Sequence, residues 1–200
     1  MTPEERKRYR ERANRAKREL LKEKQQYGYI NDGSGKRYLV PVYYILASDN
    51  DKALAFYTWF EEEFSDDIGE PVFDLYWVLA EYRAGNTAQA RYRLQIAMLN
   101  NLYLLPFLFN KPIDPLDIWH WSNQAANSYL REVQEYLHEP TPAERQWIEA
   151  EYNSQPIERL RQEYIATYHQ LKHERDVPKR KAIIAKWREF SASFLQKPAQ

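Results

Sequence analysis

Two histidines four residues apart, His169 and His173, stand where apolar residues recur at helical spacing, and such a pair can place two imidazoles on one metal ion. Beyond Glu174 and Asp176 no third ligand stands nearby, so the pair reads as surface histidines on a charged helix and no metal is assigned. His120, between Trp119 and Trp121, has Asp117 three residues earlier to orient it as a general base. No nucleophile or second carboxylate is tied to it by spacing. It reads as part of an aromatic cluster, and no catalytic residue or cofactor is expected. Gly33-Ser34-Gly35-Lys36-Arg37 has the glycines and lysine of a phosphate loop. Ile30 stands where that loop needs its first glycine, Arg37 replaces the hydroxyl residue and no strand precedes, so the segment reads as a flexible connector. Glu61-Glu62-Glu63 followed by Asp66-Asp67 offers carboxylates, but adjacent helical positions point around the cylinder. A solvated acidic face that attracts basic helices, including those at this chain's own ends, is the simpler reading.

The elements that carry these residues are helices. Thr2, Pro3 and Glu5 form a capping box that starts a helix running to about Tyr27. Its apolar stripe of Tyr9, Ala13, Ala16 and Leu20 is narrow, which predicts a helix that projects or lies lightly on the body. After the loop 28–35, Tyr38 to Leu46 predicts a short buried helix with Pro41 in its first turn. Further helices follow through Ala53 to Phe64, Phe73 to Tyr82 and Ala90 to Met98, with Gly85 closing the second of these. Asp114-Pro115 reads as the start of a helix through Trp119, Trp121, Ala125, Tyr129, Val133 and Leu137. Thr141-Pro142-Ala143-Glu144 is a second capping box, and Pro140, Pro156 and Pro178 mark the joints of the last helices.

Composition agrees with an all-α chain. Of 200 residues 5 are glycine and 29% are charged, and long alternating runs of Val, Ile and Thr are missing. The lack of cysteine excludes disulfides, thiolate zinc sites and iron–sulfur clusters. No run approaches the ~20 apolar residues of a membrane span and the N-terminus has no apolar stretch, so a cytoplasmic protein without membrane contact is expected. The net charge is zero but unevenly spread: bases outnumber acids 10 to 5 from Met1 to Lys24, whereas from Ala47 to Glu81 ten acids face Lys52 alone. Basic first and last helices, with Arg8, Arg12, Arg15 and Lys181 as candidate contacts, would suit nucleic acid or a ribosome, or would bind the acidic face of a second copy.

Ala53, Tyr57 and Phe60 share a frame with Ala90, Leu94 and Ala97, 37 residues on, and the turns before them match. The region 38–103 resembles a tetratricopeptide repeat protein, whose period is 34 residues. The first helices depart from that pattern at Trp77-Val78 and Glu81-Tyr82, and no third copy follows Leu102. The resemblance implies antiparallel helix hairpins stacked as a right-handed superhelix, with extra helices at both ends. It also implies a groove for a peptide or helix of another protein, for which Leu75, Leu79, Tyr82 and Arg83 fall on the concave side. The organisation expected is a basic helix over 1–27, a linker over 28–37 and one helical domain over 38–200. The function expected is a non-catalytic interaction scaffold. Nucleic-acid association is the alternative, and a histidine- or metal-dependent enzyme is a distant third.

Overall fold

Thr2 N–H donates to the Glu5 carboxylate at 2.6 Å and Glu5 N–H to Thr2 Oγ1 at 3.2 Å. With Pro3 at the first helical position, this box starts α1 (Pro3–Tyr27), and Gly28 at φ 80° ends it. The computed structural model describes residues 1–198, except for the side chain of His138; the last two positions of the expected 38–200 domain lie outside the described residues. Contacts divide the chain into two compact units, Met1–Ala90 and Arg91–Gln200. Among the described residues every regular element is a helix and none is a strand, so the chain is all-α.

α1 belongs to the first unit and packs along α2 (Lys36–Leu46), which corrects the expectation of a helix that projects or lies lightly. The narrow stripe suffices because Ala13 allows close approach and Leu20 is enclosed, at 0% and 1% exposure; burying one leucine contributes about 2 kcal/mol. Polar contacts flank the seam. Tyr44 Oη donates to Asn14 at 2.9 Å, Arg10 forks onto Asp49 at 2.6 and 3.1 Å, Lys36 pairs with Glu19 at 2.7 Å, and Lys24 pairs with Glu63. Of the acidic run over 61–63, Glu63 thus pairs with the basic N-terminal helix, through Lys24.

The loop before α2 is pinned rather than free. Asp32, buried and at φ 23°, accepts from Lys36 N–H at 2.9 Å and Arg37 N–H at 2.8 Å. It thereby caps α2, which begins at Lys36, so Pro41 sits inside the helix and not in its first turn. Arg37 also pairs with Asp67 at 2.8 Å, tying the loop to the turn that precedes α4 (Pro71–Arg83). The N–H groups that a phosphate would need are already taken by a carboxylate.

α3 (Asn50–Glu63) and α4 meet over aromatic rings. Tyr57 stacks on Trp77 at 4.3 Å, Phe60 and Phe73 close around them, and Tyr57 Oη donates to Phe73 O at 2.9 Å. Every residue from Pro71 to Ala80 is buried, which makes α4 the central helix of the unit.

α5 (Thr87–Asn100) begins in the first unit and ends in the second, where it leads to α6 (Leu104–Leu108), after which the chain loses regular structure until residue 123. The helix expected through Trp119 to Leu137 is absent. In its place stand short 3-10 turns at Asn123–Ala125, Asn127–Tyr129 and Gln134–His138, with one α turn, α7 (Leu130–Val133). The cause is local polar chemistry: Ser122 Oγ takes the Ala125 N–H, and Asn101 reaches across to Gln124 O at 2.6 Å and Ala126 O at 3.3 Å. Arg145 holds the far side by donating to Leu108 O and Leu137 O, both at 2.6 Å. Regular structure resumes with α8 (Pro142–Tyr152), started by the Thr141–Glu144 box, α9 (Gln155–His173) and α10 (Val177–Ala192).

Candidate functional site

The four residues expected to line a groove divide by exposure. Leu75 and Leu79 are 0% exposed and fill the core around α4, so they offer no surface to a partner. Tyr82 and Arg83 are half-buried at the end of the same helix. Of the expected nucleic-acid contacts, Arg8, Arg12 and Arg15 are exposed along α1, and Lys181 is exposed on α10 of the other unit.

A groove does exist in the first unit, elsewhere. It runs between α1, α2 and α3, has a volume of about 470 Å³, and is lined by Asn14, Lys17, Arg18, Leu21, Tyr44, Lys52 and Ala55. These residues carry three cations and no carboxylate, and one of the cations, Lys52, lies 3.4 Å from Asp49. Tyr44 forms the floor, with the Lys52 ammonium 5.9 Å from its ring centre, and Leu21 leaves an exposed apolar side chain beside it. Burial raises the Tyr44 hydroxyl pKa, and Asp49 pushes in the same direction, so this tyrosine remains a neutral donor to Asn14.

The second cluster lies in the other unit. Asp117 Oδ2 is 3.2 Å from His169 Nδ1 and 3.1 Å from His173 Nε2, while its second oxygen, Oδ1, is held by Lys172. His169 Nδ1 also lies 2.7 Å from the Asp117 carbonyl oxygen. Hydrogen bonds from Lys172 and His173 hold the Asp117 carboxyl down at about 2. Asp117 owes its position to a clamp on α9: Trp119 N–H donates to Tyr168 O at 3.0 Å, the two rings stack at 6.0 Å, and the Arg180 guanidinium lies 5.4 Å from the Trp119 ring centre.

No family model, curated protein or solved structure matches the chain.

The ring of His120 packs against that of Tyr103. Its Nε2 lies 3.3 Å from Tyr103 Oη, which accepts the Leu116 N–H at 3.1 Å, and burial together with the Lys172 charge lowers its pKa. It thus belongs to a hydrogen-bonded aromatic cluster, as its two tryptophan neighbours suggest. Sequence spacing identified His169 with His173 but not their carboxylate, which comes from 52 residues upstream instead of from Glu174 or Asp176. Nothing in local spacing could have named Asp117 as their partner, because the pairing depends on how the irregular segment lies on α9.

Proposed function

We propose that this chain is a non-catalytic, cytoplasmic protein-binding module of tetratricopeptide-like design, which holds an acidic, partly apolar segment of another protein in the groove between α1, α2 and α3. The observation that carries the reading is the lining of that groove: Lys17, Arg18 and Lys52 around an apolar floor of Leu21, Tyr44 and Ala55. Cations at a rim steer and orient an acidic segment, and Leu21, exposed beside the buried Tyr44 ring, supplies apolar contact area. The repeat-like design is supported by Ala53 and Ala90, the two frame alanines, both at 0% exposure. Tyr82 and Arg83 remain a secondary contact in this reading.

Nucleic acid is the second reading, favoured by the exposed row of Arg8, Arg12 and Arg15 on α1. The apolar floor suits side chains better than phosphates, and several other bases of α1 and α2 are committed to Asp49, Glu63 and Glu19. Affinity purification from the native host, with and without nuclease, separates the two. Partners that survive nuclease and are lost on Lys17→Glu with Arg18→Glu support the groove. Retention of all partners by that folded variant rejects it, and loss of partners to nuclease with sensitivity to Arg8→Glu and Arg12→Glu transfers the function to the outer face of α1.

A further inference from the structure

His169 and His173 project one helical turn apart from α9, and a carboxylate from a separate segment meets them. One donor atom from each of the three residues lies within 4.8 Å of the other two. Donors bound at about 2.0–2.1 Å to one tetrahedral ion stand roughly 3.3 Å apart. The two carboxylate-to-imidazole separations, 3.2 and 3.1 Å, already match that edge. The remaining imidazole-to-imidazole edge lies within 4.8 Å, and exposed histidine rings can turn to bring it to the same length.

The geometry points to a divalent transition-metal site formed by Asp117, His169 and His173, with zinc(II) as the ion its donors suit best. Two imidazole nitrogens and one carboxylate oxygen are borderline donors of the kind zinc takes, whereas calcium and magnesium prefer all-oxygen sets. Three protein ligands leave a coordination position open. The side chains are 58%, 52% and 57% exposed in the order Asp117, His169, His173, so water or a small ligand has access to it. Neighbouring groups hold the carboxylate in place. The Trp119–Tyr168 clamp fixes the Asp117 backbone, and Lys172 occupies Oδ1 in a way that leaves Oδ2 to the histidines. The ion competes with one alternative, in which the same histidines bond to Asp117 through protons.

Isothermal titration of the tag-free, chelator-treated full chain with zinc chloride at pH 7.5 distinguishes them. Saturable one-to-one binding is expected, with no response to magnesium chloride. His173→Ala and Asp117→Asn should each weaken zinc by at least about tenfold while circular dichroism shows the helices retained. Imidazole nitrogen resonances of His169 and His173 should shift with zinc, and those of His120 should not. Absence of saturable zinc binding, or unchanged affinity in a folded His169→Ala with His173→Ala variant, overturns the assignment and leaves the proton-bridged clasp.

Discussion

The two units bury polar groups in different ways. In the first, Asp32 accepts the N–H groups that open α2 and Glu70 accepts the Phe73 N–H at 3.0 Å that opens α4, so the carboxylates serve regular helices at their starts. In the second, where Glu144 serves the start of α8 in the same manner, Asn101 and Arg145 also satisfy backbone groups of a segment that has no continuous helix. Irregular backbone can be buried only where side chains replace the missing ladder, so such a segment depends on single residues as a helix does not. Asn101→Ala is the sharpest way to break this comparison. Asn101 is 1% exposed, donates to Gln124 O and Ala126 O, and accepts from Tyr103 N–H at 2.8 Å and Leu104 N–H at 3.0 Å. Its loss should cost about 3–4 kcal/mol, from several buried groups left unpaired. Hydrogen exchange should accelerate over residues 101–130 and stay slow in α2 to α4. A cost below about 1 kcal/mol, or uniform loss of protection, would remove the contrast.

The same contrast explains what was legible beforehand. Caps are local, so Thr2 with Glu5 and Thr141 with Glu144 announced α1 and α8 from residue types alone, and Pro156 and Pro178 marked the starts of α9 and α10. Trp121, Ala125, Tyr129, Val133 and Leu137 recur every fourth residue and mimic a helix. What defeats that pattern is Ser122 and Asn123 among them, together with Asn101, whose amide reaches residues 23 and 25 positions away. Two of the three residues of the Asp117, His169 and His173 cluster were readable as an i,i+4 histidine pair. Its carboxylate was hidden behind a fold-dependent contact. Leu75 and Leu79 were assigned to a groove by repeat register, yet a helix buried on all sides leaves no face for one.

Titration gives a second, smaller contrast between the units. Burial pushes the Glu70 carboxyl from its ordinary 4.5 up to about 7, against the pull of two backbone donors. A carboxyl raised in the folded state contributes stability that is full below about 4.5 and is lost as pH rises through 7. Asp117 has the opposite sign: held down at about 2, it contributes above its ordinary 3.8 and loses that contribution as pH falls toward 2. Between pH 5 and 8 the first unit should therefore weaken by on the order of 1–3 kcal/mol. Glu70→Gln, which keeps an acceptor for the Phe73 N–H, should flatten that slope in urea denaturation. A slope unchanged by Glu70→Gln would mean that some other group controls it.

The smallest expected difference compares the two capping boxes, which share their chemistry and differ in setting. In α8, Thr141 N–H donates to Glu144 at 2.7 Å and Glu144 N–H returns to Thr141 Oγ1 at 3.3 Å, with Glu144 buried. In α1 the equivalent bonds of Thr2 and Glu5 are exposed at the first turn of the chain. A first turn that frays spends part of its time unfolded even in the native state, so its cap adds little to global stability. Removing a cap that stays formed costs about 1 kcal/mol. Thr141→Ala should therefore lower the urea midpoint clearly, and Thr2→Ala should lower it by roughly a third as much or less. Equal shifts would show that the first turn of α1 is as firmly held as α8, and that the seam with α2 secures α1 from its first residue onward.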